Sequence, residues 1–264
     1  MRKTQRELAF LRDLSITTDW TERFTNLVDE HLELPKKGKF LYVNIGTGNH
    51  ALDLREKLKA EVEFFGISEN KDLLKISQAK ADAIRAKVNF EIANNFPQNT
   101  FDAVLADAML VKPENLRQFM NETVEAAKPK GDVVFFLPTA GSYGEIFSYL
   151  WETFFSLELL EYASQVERLI TEIATVSQVE EMAESAGLKK VETQTKNEVF
   201  EYDTGAEFVN SSLIQDYLLP VWLEFLNEKE KKRVAKKLAQ IVDADREGLT
   251  FRFSVKATLL TGEK

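Results

Sequence analysis

Gly46 and Gly48 flank Thr47 at the end of an apolar run, Phe40-Leu41-Tyr42-Val43-Asn44-Ile45, and Ala51-Leu52-Asp53-Leu54 follows. Glycine admits positive φ and lets backbone N–H groups come close to a ligand. A strand, a tight Gly-x-Gly turn and a helix start form the entry unit of a nucleotide- or nucleoside-binding α/β domain. The same loop also occurs where glycine is needed only to turn the chain. A full Gly-x-Gly-x-x-Gly would put a third glycine at position 51, where Ala51 stands.

Other chemistries have little to work with. The chain has no cysteine and only two histidines, His31 and His50, which excludes disulfides, thiolate metal sites, cysteine nucleophiles and a histidine-rich metal centre. No local spacing of Asp and Glu suggests a metal site, so none is expected. The 34 basic and 43 acidic residues give a net charge of -9, which disfavours nucleic acid as a partner. The basic cluster Lys229–Lys237 sits in a helical pattern and reads as a solvated face. No apolar run approaches the roughly 20 residues of a membrane span, and Met1–Glu7 lacks the apolar stretch of a secretory signal. The expectation is a cytoplasmic protein with no membrane span.

The elements that must position the loop follow from periodicity. Residues 7–34 show helical spacing (Leu8, Leu11, Leu14, then Phe24, Leu27, Val28, Leu32), with a break expected near Ser15–Asp19 and Thr18 or Asp19 as N-cap. Pro35-Lys36-Lys37-Gly38 leads into the first strand. Strands at 40–45, 62–67, 88–92, 101–105 and 132–137 alternate with helices at 51–58, 72–87 and 114–127. Apolar strands spaced by helices predict a doubly wound α/β fold, a mostly parallel sheet covered on both faces. Beyond Pro138, aromatic residues from Tyr143 to Tyr162 recur at helical spacing, reading as core packing or as the wall of an apolar pocket. A helix at 176–186, a strand at 191–202, helical segments over 205–245 and a long strand at 249–260 complete seven strands. A single domain is expected: an N-terminal helical cap (1–37), a ligand-binding half (38–140), helical additions with the sixth strand (141–248), and a final strand (249–264).

In this order the elements resemble class I S-adenosylmethionine-dependent methyltransferases, in particular the methyltransferase type 11 group. Val43-Asn44-Ile45-Gly46-Thr47-Gly48 resembles the family's first motif, and Phe64-Phe65-Gly66-Ile67-Ser68-Glu69-Asn70 its second-strand end. Phe96-Pro97-Gln98-Asn99-Thr100-Phe101-Asp102-Ala103-Val104 resembles the Pro-x-x-(Ser/Thr)-Phe-Asp-x-Val entry to the fourth strand. Ala127-Lys128-Pro129-Lys130-Gly131 resembles the Leu-Lys-Pro-Gly-Gly turn before the fifth. The resemblance covers residues 38–140. It implies a Rossmann-like seven-stranded sheet with an antiparallel last strand, and S-adenosylmethionine as cofactor. It further implies that Gly46, Thr47, Gly48 and Asn49 line the methionine end with Asn44 below. Ser68 or Glu69 would meet the ribose and Ala93-Asn94 the adenine, while Asp107 would lie at the reaction centre.

The family usually carries carboxylates where Asn44, Ser68 and Asn94 stand. Charge-assisted hydrogen bonds are roughly twice as strong as neutral ones, so losing one costs about 1–2 kcal/mol, around tenfold in affinity. Glu69, one place on from Ser68, can restore the ribose contact by a small shift. Methyl transfer is an in-line displacement at the sulfonium methyl, driven by positioning and desolvation, and needs no metal. His31, His50, Asp107, Tyr143 and Glu145 are the candidate bases, with Asp107 and Tyr143 carried forward as catalytic candidates. The aromatic and leucine content of 8–34, 141–170 and 205–226 suggests a small apolar or amphipathic acceptor; the same surface also suits a homodimer seam. Two other readings stand beside the enzyme: a methyltransferase-like binding protein with a weakened cofactor site, and a nucleotide-dependent oxidoreductase.

Overall fold

In a computed structural model, residues 3–93, 96–246 and 249–264 are described. The chain opens with α1 (Gln5–Leu11), whose N-terminus is closed by a capping box: the Thr4 hydroxyl accepts from the Glu7 N–H and the Glu7 carboxylate accepts from the Thr4 N–H. The expected break near Ser15–Asp19 does not occur. Residues Arg12–Thr21 continue as π-helical turns, with Glu22 N–H reaching back five residues to Thr17 O, and run into α2 (Glu22–His31). Neither Thr18 nor Asp19 caps a helix. The wider π turn shifts the side-chain register, and that shift is what breaks the 3.6-residue period in the sequence.

The sheet half follows as β1 (Gly38–Val43), α3 (Asn49–Lys57), β2 (Val62–Ile67), α4 (Lys71–Ile84), β3 (Asn89–Glu91), β4 (Phe101–Asp107), α5 (Pro113–Ala126) and β5 (Ala127–Thr139). Next come α6 (Gly144–Ser156), α7 (Ala163–Thr171), α8 (Val176–Ser185), β6 (Lys189–Tyr202), α9 (Gly205–Asn210), α10 (Leu219–Trp222), α11 (Glu228–Arg246) and β7 (Phe251–Glu263). The seven strands lie in the order β3-β2-β1-β4-β5-β7-β6. β1 pairs in parallel with β2 and β4, β2 with β3, and β4 with β5; the last strands are antiparallel. β5 begins five residues before the expected strand, with a register shift between Phe101 and Ala103.

Two compact units divide the chain. One comprises residues 1–138, 175–196 and 257–264, the other residues 139–174 and 197–256. In the first, Phe40, Leu41, Tyr42 and Val43 of β1 and Val104, Leu105 and Ala106 of β4 are buried, as a strand covered on both faces requires. The chain runs from β1 outward to β3 and returns with β4 on the other side of β1. That reversal is the switch point of a doubly wound sheet, and ligands bind beyond the carboxyl ends of the strands there. The ends of β2, β1 and β4 carry Glu69, Asn44 and Asp107, so strand order alone makes these three loops neighbours. In the second unit, α11 packs on α6 and α9, and Phe208, Phe251 and Phe253 form its buried centre.

The N-terminal helices are anchored by Trp20 and Phe24, both fully buried with ring centroids 4.9 Å apart. Trp20→Ala is expected to cost about 3–5 kcal/mol, read as a lower urea midpoint at unchanged slope, whereas Leu14→Ala, at 75% exposure, should change stability by less than about 0.5 kcal/mol.

Candidate functional site

The glycine loop is built for close approach. Gly46 and Gly48 have φ of 57° and 85°, and a Cβ on Gly48 would stand 2.7 Å from the Ser77 side chain, so only glycine fits where α3 begins. Ile45 N–H donates to Ile67 O, and Gly48 N–H donates to Ile45 O, closing the loop against β2. Thr47 is buried, its hydroxyl 3.4 Å from that of Thr17. Asn49 opens α3 with its side-chain oxygen accepting from Lys80, which also pairs with Asp13.

Asn44 sits in the left-handed region at φ 62°, a conformation that asparagine tolerates well. Its side-chain amide donates to the Asp107 carbonyl at 2.9 Å, tying the end of β1 to the end of β4. An aspartate could not make this bond, because an ionised carboxylate only accepts. The neutral residue therefore has a structural reason.

Negative charge reaches the loop from Glu69 instead. One Glu69 oxygen accepts from Gly46 N–H at 3.1 Å, and the other pairs with the Arg12 guanidinium at 2.6 Å. Ser68 is buried, its hydroxyl turned to the Asn70 carbonyl 3.3 Å away. Ala93 is half-buried; Asn94 lies outside the described residues.

Asp107 is buried at the end of β4, accepting from Met109 N–H at 2.8 Å and lying 3.9 Å from an Arg12 nitrogen. Burial pushes its pKa up to about 7, opposed by Arg12 and reinforced by Glu69. Arg12 thus stands between two carboxylates, with its own side chain 9% exposed. It belongs to no sequence motif, and the π-helical register removed the periodicity that would have aimed it inward.

A cavity of about 160 Å³ opens between the Arg12–Asp29 stretch and the glycine loop, with Tyr42, His50, Asp53 and Asp107 also on its wall. Tyr143 lies in the second unit. It is buried against Phe147 and Trp222, with ring centroids at 5.9 and 5.1 Å, and burial raises its pKa far above the usual phenol range. His31 is exposed, and Glu145 accepts from the Ser254 hydroxyl at 2.8 Å. The described residues contain no Asp/Glu/His cluster able to hold a metal ion, and no helix among them is long and apolar enough to cross a membrane.

Residues 40–131 match the family described as methyltransferase domain. This match covers about a third of the chain and coincides with β1 to the start of β5. No curated protein matches the sequence. Among solved structures, the YcgJ protein of Bacillus subtilis is 16% identical with a TM-score of 0.58; the match covers 92% of this chain and 98% of that one. A Haemonchus contortus phosphoethanolamine N-methyltransferase, solved with phosphomonomethylethanolamine and S-adenosylhomocysteine, is 14% identical with a TM-score of 0.57, covering 99% of this chain and 58% of that one. The same enzyme has been solved with S-adenosyl-L-methionine. The [4+2]-cyclase SpnF is 17% identical with a TM-score of 0.53, covering 100% of this chain and 97% of that one. At such identities the likeness establishes the architecture, a Rossmann-like methyltransferase fold.

Removing Arg12 would leave Glu69 and Asp107 facing each other without a cation. Because the folded state holds the Asp107 proton between roughly pH 4 and pH 7, stability falls as pH rises through that window. Arg12→Met should therefore destabilise the protein by about 2 kcal/mol at pH 8 and by roughly half that at pH 5, checked by urea unfolding at the two pH values.

Proposed function

We propose that the protein is an S-adenosylmethionine-dependent methyltransferase acting on a small-molecule acceptor. The observation that carries this reading is the convergence of the glycine loop, Arg12, Glu69 and Asp107 at the carboxyl ends of β1, β2 and β4. The donor set fits the cofactor's methionine end. The Gly46–Gly48 backbone and Arg12 suit a carboxylate, and Asp107 suits an ammonium or sulfonium. In this proposal Asn49 and Thr47 line the same end, Glu69 or Ser68 meets the ribose, and Ala93 with Asn94 meets the adenine. The bound cofactor supplies an electrophilic methyl group on positively charged sulfur.

This chain's residues then orient and exclude water. Arg12 holds the carboxylate end, Asn44 fixes the end of β4, and Asp107 faces positive charge in a buried place where its field is little screened. Tyr143 keeps a secondary place as an acceptor-side candidate. The aromatic residues of the second unit mostly pack on one another, while Trp151 and Phe155 stay exposed at 46% and 68%. The aromatic and leucine content of the sequence favours an amphipathic acceptor.

Two observations favour the second reading, a binding protein of this fold. Glu69 already occupies Gly46 N–H, and the cavity is smaller than the roughly 300–1,000 Å³ of most ligand sites. Incubation with S-adenosylmethionine and a panel of small alcohols, phenols, amines and thiols decides between them. S-adenosylhomocysteine formation above the protein-free rate supports the enzyme, and binding without turnover supports the second reading.

Asp107 gives a sharper expectation. A cationic ligand prefers its ionised form, so S-adenosylmethionine should bind severalfold tighter at pH 8 than at pH 6. Asp107→Asn should weaken binding about tenfold at pH 8 and flatten that dependence, measured by calorimetry.

A further inference from the structure

Tyr42, His50 and Asp29 form a hydrogen-bonded chain that begins on the cavity wall and ends at a part-exposed carboxylate. Tyr42 comes from β1, His50 from the first turn of α3 and Asp29 from α2, and all three line the cavity. The Tyr42 hydroxyl is 2.9 Å from His50 Nδ1, and His50 Nε2 is 3.3 Å from Asp29 Oδ1. Tyr42 is 2% exposed, whereas the Asp29 side chain is 33% exposed. The other Asp29 oxygen accepts from Lys57 at 2.9 Å.

The direction of each bond follows from the charges. The hydrogen bond from His50, with a further one from Lys57, holds the Asp29 pKa at about 2, so this carboxylate only accepts. His50 then carries hydrogen on Nε2, and in the tautomer with hydrogen on that nitrogen alone Nδ1 is an acceptor. The Tyr42 hydroxyl donates to it. The lone pairs of the Tyr42 oxygen are left to receive a proton, and the phenol can pass its own proton on to the imidazole. Burial, then Asp107 and Glu69, keep Tyr42 from ionising by itself, with Arg12 opposing and Asp29 adding to them. A free tyrosinate is thereby disfavoured, and concerted transfer through the hydroxyl is the remaining route.

We propose that Tyr42, His50 and Asp29 are a proton relay for the methyl acceptor, and that the acceptor is therefore a compound whose reacting atom must lose a proton, an alcohol, phenol or ammonium group. This inference rests on the methyltransferase reading. In the step, the acceptor's O–H or N–H bond breaks and its proton goes to the Tyr42 oxygen, while the Tyr42 proton goes to His50 Nδ1. The acceptor's electron pair forms the new bond to the methyl carbon, and the carbon–sulfur pair returns to sulfur. The imidazolium is stabilised by Asp29 and releases its extra proton to water after the product leaves. Tyr42 is the catalytic residue of this relay; His50 and Asp29 act through it as positioning residues. A chain that merely tied α2 to α3 would change stability and leave the pH profile alone.

Two measurements on the full chain test this. In ¹⁵N-histidine protein carrying His31→Gln, with S-adenosylhomocysteine added, the expected signal is a neutral His50 with hydrogen on Nε2 and an Nδ1 shift that Tyr42→Phe moves. Hydrogen on Nδ1, or an Nδ1 signal indifferent to Tyr42→Phe, overturns the relay whether or not any acceptor is known. With the alcohols, phenols and amines of the panel, Tyr42→Phe and His50→Gln should lower turnover about 10²–10⁴-fold, with S-adenosylhomocysteine affinity within threefold. Asp29→Asn should move the limb of the pH profile. Unchanged turnover or an unmoved limb overturns the relay; failure of the wild-type chain to bind S-adenosylhomocysteine instead overturns the methyltransferase reading beneath it.

Discussion

The Arg12 guanidinium, held between the Glu69 and Asp107 carboxylates, is the interaction on which the site depends. It is the single lysine or arginine among the described residues that line the cavity. Two carboxylates brought together at the ends of adjacent loops repel, and burial of Asp107 makes its ionised form costlier still. Arg12 offsets both effects. It also gives the N-terminal helices a chemical role in the site beyond packing, because Trp20 and Phe24 anchor the same helical run that aims Arg12 at the loop.

Charge in this site is redistributed rather than lost. Asn44 needs its amide to donate to the Asp107 carbonyl, and Ser68 turns inward to its own turn. Glu69 brings the carboxylate that these positions lack to Gly46 N–H. Two of the neutral residues that set the chain apart from the methyltransferase pattern, Asn44 and Ser68, thus have a carboxylate close by. In the free protein Glu69 already engages two of the donors that suit a carboxylate ligand.

The sheet was legible in the sequence because buried parallel strands are nearly continuous apolar runs. Phe40–Val43 and Ala103–Ala106 announce themselves. The glycine loop was legible because Gly46 and Gly48 occupy positive φ. Arg12 was not, since π-helical turns over Arg12–Thr21 displace side chains from the 3.6-residue stripe and mimic a break. The Tyr42–His50–Asp29 chain was hidden for another reason. Its members lie eight and 21 residues apart on a strand and two helices, so only the fold brings them together. Tyr143 shows the reverse case, an aromatic residue at a suggestive position whose observed neighbours are Phe147 and Trp222.

The most direct measurement is calorimetric titration of the protein with S-adenosylmethionine and S-adenosylhomocysteine at pH 7.5, with NAD as control. The account predicts micromolar binding of the first two and none of the third. Absence of binding at millimolar S-adenosylhomocysteine would contradict it, because the loop, Arg12 and Asp107 would then have no methionine end to hold.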